Sequence, residues 1–460
     1  MQLNSINPAD QSVVGQVKLA NKQDVNKAVE KARQTLNSWK NTPIQKRASY
    51  VAKFTQEYLK QKTKLAQLST QEMGKPLSES LNDIDWDQDY LKYYANKGPN
   101  NLKDEIIQKT KKVLRKVVHE PIGVCSVITP WNFPYGMPIW GLMPNLIAGN
   151  TIVFKPSEHT PLCGQEVVNI LKKVGLPEGV VNIVHGDGQV GSMMTDSNVD
   201  FVWFTGSSKI GQEIYAKCGQ KFIRCLLELG GSSPAIIMDD IKDIDGVVEN
   251  IYWGRFLNCG QVCAAIKRLF VHKNIYKEFV KKLVARVAQT KTGDPMQKVD
   301  FGPLVSAKQL RALEAQVKDA VSQGAKIEIG GSRPMDKNLQ KGNFYLPTIL
   351  TNVNFKMNIL NQEVFGPVLP VVPFDNVDKV IKMANQTDYG LTASIYTNDP
   401  KLGRDLATQI EAGQIAINTD DDFHPTCPFG GYKKSGMGRE SGKYGFRELS
   451  QVKYICESLA

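Results

Sequence analysis

Gly260-Gln261-Val262-Cys263-Ala264-Ala265 is the stretch on which the rest of this chain turns. A cysteine sits here among small residues and a glutamine, with little charge to solvate it. The mixed apolar segment Asn250 to Leu257 precedes it and ends in Asn258-Cys259-Gly260. A thiol on a tight glycine-containing turn is poorly placed to pack a core and well placed to meet a ligand. Its thiolate is a strong nucleophile once something lowers the pKa or takes the proton. The alternative is a small buried cysteine of no chemical consequence. One cysteine does not decide between the two; partners elsewhere in the chain do.

The surrounding pattern sets the fold class. Strand candidates at Val124–Ile128, Thr151–Phe154, Val180–Val184 and Phe201–Phe204 alternate with helical segments near 135–148, 161–174, 189–195 and 208–217. Such alternation predicts a parallel sheet with helices on its faces, and ligands there bind outside the carboxyl ends of the strands. After Glu228 a second α/β run follows. It has strands at Pro234–Met238, Arg268–Val271, 326–329 and 346–350, and helices at 242–257, 274–290, 307–323 and 377–385. Residues 23–73 read as helices. Leu102 to Val118, where Ile106, Ile107, Val113, Leu114, Val117 and Val118 alternate loosely with lysines, reads as a surface strand pair, and such a ribbon is often an interface edge.

Composition narrows the function. The 460 residues suggest two or three domains, and 42% hydrophobic with 22% charged residues is ordinary for a globular chain. No apolar run reaches the roughly 20 residues that span a bilayer. No secretory signal is visible at Met1-Gln2-Leu3-Asn4-Ser5, so a cytoplasmic location is expected. The eight cysteines lack zinc-type pairing and read as free thiols, and the five histidines lack metal-ligand spacing. The net charge of +11 is spread over stretches such as Lys103–Lys116 and Lys277–Lys291, interleaved with apolar residues. No recognition motif accompanies it, so no nucleic-acid partner is expected, only weak attraction of anionic metabolites.

Several short stretches carry chemistry. Lys155-Pro156-Ser157-Glu158 follows a strand; its lysine can reach ribose or phosphate, and its carboxylate can accept from a ribose diol while repelling a 2′-phosphate. Thr205-Gly206-Ser207-Ser208-Lys209-Ile210-Gly211 opens a helix, where backbone N–H groups can approach a pyrophosphate. Asn132, in Trp131-Asn132-Phe133-Pro134, is either an oxyanion donor or a helix cap. Glu228, in Leu226-Leu227-Glu228-Leu229, is a carboxylate at an apolar strand end. It is either a general base with a raised pKa or half of a buried salt bridge. Glu363-Val364-Phe365-Gly366-Pro367 places a carboxylate and a ring on one loop, suited to a ribose and a flat ring or simply to a turn.

Seven motifs occur in one order: Pro130-Trp131-Asn132-Phe133-Pro134, Lys155-Pro156-Ser157-Glu158, Phe204-Thr205-Gly206-Ser207, Glu228-Leu229-Gly230-Gly231, Gly260-Gln261-Val262-Cys263, Glu363-Val364-Phe365-Gly366-Pro367 and Pro428-Phe429-Gly430-Gly431. Together, over nearly the whole chain, they resemble the NAD(P)-dependent aldehyde dehydrogenase superfamily. The resemblance implies that Cys263 attacks an aldehyde and that Asn132 and the Cys263 N–H hold the oxyanion. It implies that Glu228 activates the water that hydrolyses a thioester. It assigns cofactor contacts to Trp131, Lys155, Ser157, Glu158, Gly206, Ser207, Leu229, Glu363 and Phe365, with NAD favoured over NADP by Glu158. It also implies a Rossmann-like NAD-binding domain (1–102 with 121–229), an α/β catalytic domain (230–430), and an oligomerisation arm with a C-terminal segment (103–120 with 431–460), in a homodimer or homotetramer.

For the substrate, the resemblance places Met137, Trp140 and Phe423 along the aldehyde tunnel. Relatives acting on succinate semialdehyde carry arginines where this chain has Trp140 and Leu257. An apolar or aromatic aldehyde is therefore expected, with betaine aldehyde as an alternative through cation–π attraction and succinate semialdehyde as another. Arg255 and Arg268 remain candidate anion partners. Cys259 stands where relatives carry alanine or serine, and is either a packing residue or the partner of Cys263 in a protective disulfide. A reading from a different class is a cofactor-free thiol esterase.

Overall fold

The computed structural model describes residues 1–419 and 423–459; Asp420–Asp422, within the 230–430 stretch, and Ala460, at the end of the C-terminal segment, lie outside the described residues. The first sheet has six strands in the order Gly436–Met437, Arg224–Glu228, Phe201–Thr205, Val124–Ile128, Thr151–Lys155 and Val181–Ile183. All pairings are parallel except that of the short strand Gly436–Met437. Three of the four inner strands, Phe201–Thr205, Val124–Ile128 and Thr151–Lys155, are buried at every position. That is why they read as unbroken apolar runs rather than as alternating ones. Register places Ile128 opposite Lys155 and Phe204, and Thr205 opposite Glu228. The strand ends that carry the sequence motifs are thus brought level on one side of the sheet.

The second sheet has seven strands: Lys326–Ile329, Thr348–Thr351, Val368–Phe374, Ile266–His272, Ser233–Ile237, Thr392–Tyr396 and Gln414–Ile417. Only Lys326–Ile329 runs antiparallel. Ile266–His272 is its middle strand, and Cys263 lies three residues before it. A third sheet orders Ser450–Ser458, Val113–Pro121 and Glu105–Lys109, all antiparallel. The expected surface ribbon is therefore present, joined by a strand from the end of the chain. The α/β fold class expected from the sequence is the one observed.

The end of the chain also returns to the first sheet. Gly436 pairs with Glu228, Leu229 N–H donates to the Ser435 carbonyl at 2.9 Å, and Phe429 and Glu440 exchange backbone hydrogen bonds at 2.7 Å. Within this returning segment Gly430 has φ +150°, and a Cβ placed on it would lie 2.8 Å from a Glu228 carboxylate oxygen. A side chain at this position would press on Glu228 directly.

The sequence left several elements unassigned. They are the hairpin Gln2–Ile6 with Val13–Lys18, the helices Leu77–Asn101 and Pro400–Gln409, and the strands Thr392–Tyr396 and Gln414–Ile417. Leu77–Asn101 is the longest helix described, yet its buried positions include Glu79, Ser80 and Asp87 beside Ile84, Tyr90, Leu91 and Tyr94. Carboxylates interrupt the apolar stripe that would have marked it. Among the described residues no helix is long and apolar enough to cross a membrane, and no cluster of metal-ligating side chains occurs.

Candidate active site

The turn before Cys263 is held in an uncommon backbone conformation. Asn258 and Cys259 both have φ +55°, and Gly260 has φ +71°. A Cβ on Gly260 would fall 2.5 Å from the Gly366 carbonyl oxygen, so glycine is required there by space as well as by φ. Non-glycine residues in the left-handed region carry strain that neighbouring contacts must hold. Those contacts are present. Asn258 N–H donates to Glu79 Oε2 at 2.8 Å, Asn258 Nδ2 to the Asn132 carbonyl at 2.8 Å, and Gln261 Nε2 to the Asn258 carbonyl at 3.2 Å. Gln261 Oε1 accepts from Val305 N–H at 3.0 Å. Burial raises the Glu79 carboxyl pKa to about 8.

Asn132 is not a helix cap. The helix that follows, Gly136–Ala148, has no side-chain cap, and Asn132 Nδ2 donates to the Gln261 carbonyl at 3.1 Å. The amide is thereby tied to the turn that carries Cys263, and a primary amide has a second N–H to offer. Cys263 is half-buried as a residue. Desolvation pushes its pKa up to about 12; Glu363 and Glu228 push the same way, while Lys267 and the Ala264 N–H oppose them.

Glu228 is not in a salt bridge. It is 3% exposed, and neither carboxylate oxygen has a hydrogen-bond partner among the described residues. Burial first, and the nearby Glu440 second, hold its pKa well above the ordinary carboxylate range, with Arg439 pulling the other way. A buried carboxyl group without a partner is costly unless it is protonated or meets a ligand or water.

A cleft of about 340 Å³ runs along the carboxyl ends of the first sheet, lined in part by Trp131, next to Asn132, and by Thr205, opposite Glu228 in register. Of the expected cofactor residues, Trp131, Lys155, Ser157, Glu158, Gly206 and Ser207 line it. Lys155 is buried and donates to the Gly186 carbonyl at 2.7 Å, with Glu158 3.8 Å away. Ser207 caps the helix Ser208–Lys221, which points its N-terminus at the cleft. Leu229 is buried against Gly211 at the start of the same helix. Glu363 and Phe365 stand apart from the cleft lining. Glu363 Oε1 accepts from Gly231 N–H at 3.0 Å and from Lys267 Nζ at 2.9 Å. The Phe365 ring meets Trp131 edge-on at 5.5 Å.

Met137 and Trp140 are buried one turn apart on Gly136–Ala148. Trp140 stacks on Tyr90 at 4.7 Å and lies 5.5 Å from Trp86 and 5.6 Å from Phe429. Phe423 extends this cluster, 6.2 Å from Trp86 and 5.6 Å from Phe429. Arg255 and Arg268 are fully buried and bound to backbone carbonyls. Arg255 donates to Val364 and Gly366, and Arg268 to Ser232, Met383 and Ala384. All three Arg268 nitrogens are thereby engaged, whereas Arg255 Nε and Nη1 have no hydrogen-bond partner among the described residues. Cys259 packs in the core of the second sheet and its thiol meets the Gly302 carbonyl, whereas Cys263 packs against the core of the first. The two thiols face different surroundings, and both are free.

Comparison with known proteins decides the family. The aldehyde dehydrogenase family model matches residues 1–455. The chain belongs to the aldehyde dehydrogenase family. A betaine aldehyde dehydrogenase of Bacillus subtilis is 37% identical over 98% of this chain and 93% of the relative. A probable succinate-semialdehyde dehydrogenase [NADP(+)] of Sinorhizobium fredii is 35% identical over 98% and 91%. Among solved structures, betaine aldehyde dehydrogenase from Staphylococcus aureus in complex with NAD+ superposes with a TM-score of 0.95 at 34% identity, covering 99% of this chain and 91% of the other. The NAD+ complex of an aldehyde dehydrogenase from Bacillus cereus gives 0.95 at 35% identity, covering 100% and 93%.

In this aldehyde dehydrogenase, residues that sequence reasoning passed over hold the site together. Asn258 and Gln261 fix the turn, Glu79 and Trp86 come from the unassigned helix, and the charge of Glu440 acts on Glu228. Lys267 links Glu363 to the Cys263 carbonyl, which it meets at 2.6 Å. Lys267 sits next to Arg268 at the start of a strand, and adjacent charges there read as solvated ones.

Proposed function

We propose that this chain oxidises an aldehyde to a carboxylic acid with NAD+, using Cys263 as nucleophile and Glu228 as base. One observation carries the reading: a primary amide is tied to the turn of Cys263, an unpartnered buried carboxyl group acts on the thiol, and the neighbours of amide and carboxyl group, Trp131 and Thr205, line a cleft at the strand ends. The donor set of that cleft fits a dinucleotide. Gly206 and Ser207 at a helix N-terminus suit a pyrophosphate, and Lys155 with Glu158 suits a ribose diol. Glu363 would hold the second ribose, with Trp131, Leu229 and Phe365 as apolar walls.

The Cys263 thiol gives up its proton to solvent as Sγ adds to the aldehyde carbon, and Asn132 Nδ2 and the Cys263 N–H donate to the oxygen that becomes negative. The bound cofactor supplies a hydride acceptor. Loss of hydride from the carbon leaves a thioester on Cys263. Glu228 takes a proton from water as its oxygen attacks that thioester, the C–S bond breaks, and the acid departs. The aromatic cluster of Trp86, Trp140 and Phe423, with Met137, supports an apolar or aromatic tail; the same rings suit a quaternary ammonium, as in betaine aldehyde. The rates of NADH formation across aliphatic, aromatic, betaine and succinate semialdehydes test this. The aromatic aldehydes should lead. Betaine aldehyde in front would keep the aromatic wall and change its role, and succinate semialdehyde in front would overturn the tail assignment.

Glu158 stands where a 2′-phosphate would need room and positive charge. Glu158→Gln is expected to raise kcat/KM for NADP+ by about tenfold while leaving NAD+ turnover nearly unchanged. An unchanged NADP+/NAD+ ratio would place cofactor choice elsewhere. We assign the first sheet to a cofactor domain (1–102 with 121–229) and the second to a catalytic domain (230–430). The arm exposes Ile106, Ile107, Val452 and Tyr454 on a three-stranded sheet with open edges, which supports assembly into a homodimer or homotetramer. A cytoplasmic location remains part of this reading.

A further inference from the structure

Lys267 has no exposed side-chain surface, and its ammonium makes two hydrogen bonds of different kinds. One goes to the Cys263 backbone carbonyl at 2.6 Å and the other to Glu363 Oε1 at 2.9 Å. The same nitrogen lies 5.5 Å from the centre of the Phe365 ring. A buried ammonium is costly to retain, and leucine or threonine would fill a strand position at far lower cost. The proposed cofactor-side carboxylate and the nucleophile loop therefore share one cation.

We propose that Lys267 is a positioning residue that couples occupation of the cofactor cleft to ionisation of Cys263, through its shared contact with Glu363 and the nucleophile loop. The proposal rests on the assignment of Glu363 as a cofactor ribose contact. The groups acting on the thiol are few. Lys267 favours the thiolate, Glu363 and Glu228 oppose it, and the Ala264 N–H favours it. Glu440 and Arg439 stand behind Glu228, and Arg255 acts on Lys267 from the preceding helix. With no ribose present, Glu363 offsets much of the lysine's charge. Hydroxyls donating to Glu363 would disperse its negative charge and leave more of the lysine's field for the thiol. The sign follows: filling the cleft lowers the thiol pKa.

The test is the pH dependence of Cys263 alkylation by iodoacetamide, followed by mass spectrometry, with and without saturating NADH. NADH is the probe because its reduced ring carries no charge of its own. In the unaltered protein NADH should move the midpoint of the alkylation profile downward. Lys267→Met should raise the free-enzyme midpoint by about one unit, slow alkylation at neutral pH about tenfold, and remove the response to NADH. Lys267→Arg, which keeps the charge, should restore part of both. Glu363→Gln should lower the free-enzyme midpoint and also remove the response, so the proposal stays testable if Lys267→Met fails to fold. Unchanged free-enzyme midpoints in both Lys267→Met and Glu363→Gln would overturn the proposal. So would an NADH response that persists in either. If NADH binds the unaltered protein without moving the midpoint, the coupling fails; if NADH does not bind at all, the cofactor assignment fails instead.

Discussion

Cys263→Ala is expected to lower kcat/KM for aldehyde oxidation by about ten-thousandfold or more, while NADH binding, followed by its fluorescence, is retained. The size of the effect follows from the chemistry. Without the thiol no covalent adduct forms, and hydride would have to leave an aldehyde hydrate held only by Asn132 and the cleft. Cys259 cannot take over as nucleophile: it is turned to the core of the other sheet and bound to the Gly302 carbonyl. Removal of one small side chain should leave the fold intact. A melting temperature within a few degrees of the parent is expected from the small volume lost. Residual turnover above a few per cent in Cys263→Ala would rule out the thioester route. Loss of NADH binding together with turnover would mean that the turn itself had collapsed.

Glu228→Gln is expected to reduce steady-state turnover by about a hundred- to ten-thousandfold, the usual range for loss of a general base. Its signature is a burst. Hydride transfer can still occur once, so NADH should appear rapidly to about one equivalent per site and then nearly stop, with acyl-enzyme visible by mass spectrometry. The pH profile carries a second sign. A base works only when ionised, and burial together with Glu440 holds the Glu228 pKa well above its ordinary value. Turnover in the parent protein should therefore rise with pH through a limb lying above the normal carboxylate range, and that limb should vanish in Glu228→Gln. Glutamine also removes a protonatable group that has no partner among the described residues, so the variant should be at least as stable as the parent. Undiminished turnover in Glu228→Gln would move the base elsewhere, with Glu440, whose charge acts on Glu228, the first candidate.

The family was legible because it is written in short local strings. Asn132 follows one strand of the first sheet and Glu228 ends another, while Cys263 lies in the turn that leads into the middle strand of the second sheet. What the sequence did not disclose are the buried polar residues that hold the strings together. Glu79 reaches the catalytic turn from 179 positions away, and no local pattern announces such a contact. The helix that carries it is hidden for the same reason, since its inner face mixes carboxylates with tyrosines. Arg255 and Arg268 looked like possible substrate anchors because a charge in a sequence does not say which way it points; both are bound to backbone carbonyls. The opposite error would have been as easy with Lys267, which reads as a surface lysine and is wholly buried.

The strap that returns to the first sheet sets an order of events during synthesis. Glu228 leaves the ribosome before Cys263, yet the segment that encloses Glu228, from Phe429 through Gly436 and Glu440, emerges more than 160 positions after Cys263. A nascent chain therefore presents Cys263, the proposed nucleophile, well before Glu228, the proposed base, has its final surroundings. Cys263 is made early and Glu228 is enclosed late, so an unfinished chain carries the thiol without the finished surroundings of the carboxyl group proposed to work with it.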